Sequence, residues 1–223
     1  MKISWLPIVA GAAVLGTVIR AAFFTPLEAR QGAAQKIFYI HVPSAWVAFL
    51  AFFLVAVASG AYLWLRDARL DRFAESSAEV GVVFTTVVLI TGPLWAKPIW
   101  GTYWTWWDVR LVSTLFLWFI YVSYMVLRGA IESPSLRARY SAILGILGAL
   151  LIPFIHLSVY LFATMHPMPI VLKPSKPSLP NEMLLTLLLS LASFTLLYFS
   201  FLRSRYRFAV ERDIYLAQAE SHA

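Results

Sequence analysis

Long apolar stretches alternate with short polar ones along the whole chain. Six of them reach the roughly 20 residues that a helix needs to cross a bilayer. They run approximately from Trp5 to Phe24, Pro43 to Leu65, Ala78 to Trp95, Val109 to Leu127, Ser141 to Ala163 and Met183 to Leu202. None shows the short period-two alternation of a membrane barrel. The pattern therefore predicts an all-α integral membrane protein, one bundle of six transmembrane helices spanning residues 1–223. Trp5 to Ile19 follows Lys2 and is not followed by a small-residue cleavage site, so it reads as a retained first span rather than a removed signal peptide. On span five, Ala142, Gly145, Gly148 and Ala149 make a small-residue face suited to close helix packing. The charged stretch after Arg203 is compatible with either a helix or a disordered tail.

An even number of spans puts both termini on one side, and the basic residues say which. Eleven of the 18 lysines and arginines fall on that side: Lys2, the Arg66–Arg72 and Arg128–Arg139 turns, and the tail from Arg203 onward. The other seven, Arg20, Arg30, Lys36, Lys97, Arg110, Lys173 and Lys176, fall on the opposite side. The excess of positive charge on cytoplasmic loops places both termini in the cytoplasm. Arg66 to Glu75 and Arg128 to Arg139 then read as ordinary cytoplasmic loops. The outward segments are Arg20 to Val42, Ala96 to Asp108 and Thr164 to Glu182. The last holds Pro167, Pro169, Pro174, Pro177 and Pro180, which predicts irregular, stiff chain.

Composition changes this picture little: 61% of residues are hydrophobic and 13% charged, as expected of a chain living in lipid. The net charge of +7 lies mostly beside the spans, where topology accounts for it, so it implies no nucleic-acid partner. The absence of cysteine excludes disulfides, thiolate metal sites and covalent haem attachment to this chain through a Cys-x-x-Cys-His motif. Gly11 to Thr17 approaches a phosphate-binding loop but lacks its lysine and lies inside a span, so no nucleotide chemistry is expected.

The candidate chemistry gathers on the outward side. Trp100-Gly-Thr-Tyr-Trp-Thr-Trp-Trp-Asp108 holds four of the nine tryptophans. An interfacial aromatic belt would place tryptophans here, but this density favours a platform for a planar ligand. If the segment is a helix, Trp100, Trp104 and Trp107 share a face, Trp106 points elsewhere, and Asp108 stands at the start of span four, where it also suits a helix cap. His41 lies at the outer mouth of span two, with Pro43 at the expected helix start, and His166 at the outer end of span five. Two imidazoles at one membrane level suit the axial ligation of a haem iron. Arg110 and Lys36 are candidate partners for propionates, or else snorkel to headgroups. His156 lies inside span five and is expected to hydrogen-bond a neighbouring helix, while His222 in the tail has no evident role.

These residues resemble a known family. Trp100 to Asp108, followed by Val-Arg-Leu, is similar to the tryptophan-rich WWD signature of haem-handling proteins of cytochrome c biogenesis. Tyr39-Ile-His-Val-Pro-Ser-Ala-Trp46 and the stretch from Thr164-Met-His-Pro to Asn181-Glu-Met-Leu184 resemble cytochrome c maturation protein C, and the likeness covers most of the chain. The resemblance implies a non-enzymatic transfer protein of the bacterial inner membrane. It would bind haem b non-covalently at the periplasmic face and deliver it to a periplasmic haem chaperone beside an ATP-binding cassette complex, with membrane lipid around it. It also implies His41 and His166 as axial ligands, and Trp100, Gly101, Trp104, Trp106, Trp107 and Asp108 as contacts for haem or chaperone. This chain carries one residue more between Trp104 and Asp108 than the usual signature, leaving Trp106 and Trp107 both eligible as the equivalent indole. The rival reading is a haem-containing electron carrier or quinol-linked reductase.

Overall fold

The structure, a computed structural model, describes residues 5–171 and 173–221, with only the backbone at Glu220; Lys2 and His222 lie outside these. It is a helical bundle of α1 (Trp5–Ile19), α2 (Phe38–Leu65), α3 (Ala68–Trp100), α4 (Val109–Ala130), α5 (Pro134–Ala149), α6 (Leu151–Leu161) and α7 (Asn181–Ser221). Five residues of π-helix, Arg20–Phe24, extend α1, and a 3₁₀ turn, Ala33–Ile37, leads into α2. Among the described residues, with α5 and α6 counted as one, six helices are long and apolar enough to cross a membrane. Their outer surfaces are apolar, with Trp64, Phe23, Val126 and Leu161 among the large exposed side chains. Their interior contacts instead use small and hydroxylated residues, as helices in lipid do.

Helix α2 lies at the centre, against α3, α5 and α7, while α1 packs on α7 and α4 packs on α3, α5 and α6. Close approach of α2 and α3 is possible because Ala48, Ala51, Ala78 and Gly81 present almost no side chain at the contact; a Cβ on Gly81 would stand 2.5 Å from the Phe52 ring. That ring stacks on Tyr121 of α4 at 3.6 Å between centroids. Ser77 donates to the Ala51 carbonyl at 2.8 Å, so its oxygen accepts from Tyr198 of α7 at 2.7 Å. The small-residue face predicted on span five is buried at Ala142, Gly145 and Gly148, and Val55, Ser59 and Tyr124 crowd Gly145.

Several boundaries differ from the sequence pattern. The expected loop Arg128 to Arg139 shrinks to residues 131–133, because α5 begins at Pro134 rather than Ser141. Four more differences have an evident physical reason. The span predicted from Pro43 begins at Phe38, so Pro43 lies inside α2 and His41 in its first turns. The preceding 3₁₀ turn extends the helical path outward, and Pro43 forfeits one ladder bond without ending it. The expected loop Arg66 to Glu75 shrinks to Arg66 and Asp67. Arg66 closes α2 in the left-handed region (φ 57°), and the Asp67 carboxylate caps α3 by accepting from Arg69 N at 2.8 Å. Span five is broken at Leu150, where Pro153 has no N–H for the Ala149 carbonyl. The stretch after Arg203 is helical through Ser221.

That last extension is held by charge. The end of the bundle away from the tryptophans joins α3, α4 and α7 through ion pairs: Arg128 to Asp71 (2.7 Å) and Glu75 (3.1 Å), Arg212 to Glu75 (2.8 Å), Arg72 to Asp213 (3.2 Å), and Arg205 to Glu79. Arg128 is only 6% exposed and Glu75 only 8%. Charges that read along the sequence as a solvated loop and tail are thus largely spent on one another.

Candidate functional site

At the opposite end α2, α3, α4 and α6 surround a cavity that opens to the surface. Its wall is mostly apolar, including Val42, Ala45, Phe49, Val88, Leu89, Leu111, Leu117 and Ile155. The break at Leu150 positions one side of it, since α6 follows α4 and makes no substantial contact with α2. His41, Trp95, Trp100, Trp104, Arg110, Met165 and His166 line the same cavity. The two outward histidines of the sequence are therefore brought together.

Each imidazole has its tautomer set by a hydrogen bond. His41 Nδ1 is 2.9 Å from Thr91 Oγ1, and that hydroxyl donates its only proton to the Val87 carbonyl at 2.7 Å. Thr91 must then accept, which puts the proton on His41 Nδ1 and leaves the Nε2 lone pair free. His166 Nδ1 is 3.1 Å from the Pro167 carbonyl, which can only accept, so its Nε2 is free as well. Burial, and then the charge of Arg110, push the His166 pKa down to about 3, so the ring is neutral. Trp95 meets the His41 ring edge to face at 5.7 Å, and Gly92 leaves room for it; a Cβ there would stand 3.3 Å from His41 Cε1.

The tryptophan segment is not a helix. Gly101 ends α3 in the left-handed region (φ 75°), its N–H donating to the Lys97 carbonyl at 3.0 Å, and residues 101–108 follow an irregular path. Helical phase therefore does not sort the indoles. Trp100 and Trp104 line the cavity, but Trp107 does not: it is 59% exposed, and Trp106 76%. Trp106 leans on Trp104 at 5.8 Å, edge to face. Asp108 caps α4, accepting from Arg110 N at 3.0 Å and Leu111 N at 3.2 Å, and its side chain is fully buried.

Two donors at the cavity stand without an acceptor. Trp104 Nε1 is buried with no hydrogen-bond partner among the described residues. Arg110 is absent from the ion pairs of the described residues, all of which lie elsewhere. Lys36 is not at the cavity; its ammonium donates to the Thr25 and Pro26 carbonyls. His156 does not line the cavity either. Sequence reasoning missed Thr91, Gly92, Trp95, Gln31 and Thr164. Gln31 accepts from Trp95 Nε1 at 3.0 Å across a gap of 64 residues, a pairing with no local signal. Thr164 had one, because a threonine two residues before His166 suits a local turn in which its oxygen accepts from the His166 N–H, here at 3.1 Å.

Among the described residues no three His, Cys, Asp or Glu side chains come together, so a bare metal ion has no cage here. Two imidazoles in an apolar, tryptophan-lined cavity instead fit a metal whose remaining ligands arrive with it, and the free Trp104 N–H and Arg110 fit carboxylates on that ligand.

Comparison with known proteins agrees. A family profile described as "Heme exporter protein C" matches residues 1–219. The heme exporter protein C of Bradyrhizobium diazoefficiens is 38% identical over 196 residues, 86% of this chain and 74% of the relative. That of Haemophilus influenzae is 34% identical over 192 residues, 85% and 77% of the two chains. A ccmC-like mitochondrial protein of Marchantia polymorpha, named for cytochrome c biosynthesis, is 35% identical over 169 residues, 76% and 71% of the two. A match over nearly the whole length, with six candidate spans among the described residues, shows that the chain belongs to the Heme exporter protein C family.

Proposed function

We propose that this chain holds haem b non-covalently between His41 and His166 at the periplasmic face of the inner membrane. It then passes the haem to a periplasmic haem chaperone, beside an ATP-binding cassette complex, and acts as a transfer protein rather than an enzyme. Family membership supports the coarser role, haem handling for cytochrome c maturation. The observation that carries the finer reading is the pair of neutral imidazoles lining one cavity, each with Nδ1–H engaged and Nε2 available. Haem, when bound, supplies an iron that accepts two such nitrogens. Trp95, Trp100 and Trp104 offer apolar faces to the macrocycle, and Arg110 and Trp104 Nε1 offer donors to its propionates. The lack of cysteine leaves no route to thioether attachment through a Cys-x-x-Cys-His motif.

Release is as much a part of the role as binding. His41 stands on a long helix and His166 on an irregular segment, so the two ligands are able to separate by movement of the segment alone. Trp106 and Trp107 sit beside the cavity with their rings exposed, an aromatic surface of the kind that protein partners use. We assign the chaperone contact to them. The positive charge gathered at the opposite end supports a cytoplasmic placement of that end, and so a periplasmic site.

The test is transfer. Haem-loaded protein, purified with its cassette complex, is mixed with haem-free chaperone and ATP. Haem should move to the chaperone, and more slowly when Trp106 and Trp107 are both replaced by alanine. Haem that stays with the chain under these conditions would contradict the proposal.

A further inference from the structure

We infer that Asp108 is a positioning residue for His166. Its buried carboxylate clamps the segment carrying that histidine to the N-terminus of α4. The inference rests on the reading of His166 as a haem ligand, and it assigns the signature aspartate a task distinct from touching haem or partner.

The two oxygens of Asp108 face two different parts of the chain. Oδ1 accepts from the N–H groups of Arg110 and Leu111, which closes α4. Oδ2 accepts from the Thr164 hydroxyl at 2.7 Å and the Met165 N–H at 2.9 Å, 56 and 57 residues further along. Thr164 Oγ1 in turn accepts from the His166 N–H at 3.1 Å. Asp108 is thus one short hydrogen-bonded step from the backbone of the ligand.

Little else holds that segment. Residues 163–169 form no helix or strand, and among the described residues they make no backbone-to-backbone hydrogen bond. Pro167 and Pro169 have no N–H to offer. Among the described residues, the other side-chain hydrogen bond from this segment to a different part of the chain is a weak contact of Thr105 with the Met165 sulfur at 3.9 Å. The carboxylate is 0% exposed, so water does not compete for it, and the positive end of α4 favours its charge.

The chemistry supplies a variant that separates the clamp from the cap. Asparagine is as good a helix cap as aspartate, through its carbonyl oxygen. Its amide nitrogen, however, is a donor and would face the Met165 N–H. Asp108→Asn keeps α4 closed and turns the second oxygen against the segment. Thr164→Val removes the link from the other side, and Thr164→Ser keeps it.

The experiment uses the full chain in detergent. Without haem, hydrogen exchange is followed at residues 163–168 and 111–120. With haem, the absorption spectrum and the rate of haem loss are recorded. Asp108→Asn and Thr164→Val should each raise exchange at 163–168 without changing 111–120. They should shift the low-spin spectrum toward high spin and speed haem loss by roughly tenfold, the scale of one hydrogen bond to a charged group. Thr164→Ser should behave as the parent. In a His166→Ala background Asp108→Asn should add nothing, because the ligand it positions is gone. Unchanged exchange at 163–168, or faster haem loss from Asp108→Asn whether or not His166 is present, would overturn the clamp. If His166→Ala alone leaves the spectrum unaltered, the ligand assignment fails instead, and the exchange result still judges the clamp.

Discussion

At the scale of single residues, His41 owes its ligand-ready form to a threonine 50 residues away. Thr91→Val keeps the shape and removes the acceptor, so the ring loses its fixed tautomer. Haem affinity should fall by about 10- to 100-fold, the usual effect of losing such a supporting bond. Gly92→Ala should also lower affinity, by pressing on His41 Cε1 from 3.3 Å, with the fold intact. Equilibrium haem titration followed by absorbance checks both. That His41, His166, Trp100, Trp104 and Arg110 belong to one outward region was legible in the sequence, because histidines, clustered indoles and a cation beside apolar spans are unusual residues in unusual places, and the fold brings all five to one cavity. Thr91 and Gly92 were not legible, since a threonine or a glycine inside a span is ordinary until its neighbour across the interface is known. The shared face expected for Trp100, Trp104 and Trp107 assumed a helix that Gly101 ends, so Trp107 does not line the cavity with the other two.

At the scale of elements, the apolar runs located every span, but their ends follow from bonds that hydropathy does not see. α2 starts before its proline because a 3₁₀ turn leads into it, and α3 starts at Ala68 because Asp67 caps it. The break between α5 and α6 matters most for the site, since it lets α6 follow α4 and leaves Ile155 facing the cavity. Just before the break, Gly148 packs against Ile120 and Tyr121; a Cβ there would stand 2.8 Å and 3.0 Å from their nearest carbons. Gly148→Ala should therefore destabilise the bundle by about 1–3 kcal/mol, the cost of overpacking a close contact. Thermal unfolding in detergent measures it, and Gly11→Ala, with nothing within 4 Å of its Cβ, is the control expected to show no loss.

At the scale of the whole molecule, the two ends of the bundle use charge in opposite ways. One end buries cations and carboxylates against each other, whereas the other keeps Arg110 beside a cavity with no carboxylate in ion-pair range among the described residues. Arg128→Ala would leave Asp71 and Glu75 buried with less compensation, at a cost of about 3–5 kcal/mol. The exposed Arg69–Asp67 pair should be nearly silent by comparison. The melting temperatures of Arg128→Ala and Arg69→Ala check this contrast, which places the rigid anchor of α3, α4 and α7 far from the ligand site. In the proposed haem site two histidines, remote in sequence and joined by the fold, ligate one iron. The absorption spectrum of the haem-loaded chain tests this most directly, with His41 and His166 replaced one at a time by alanine. A low-spin bis-imidazole spectrum is expected for the parent chain and should be lost in each variant. A parent spectrum that survives either replacement would contradict the ligand assignment.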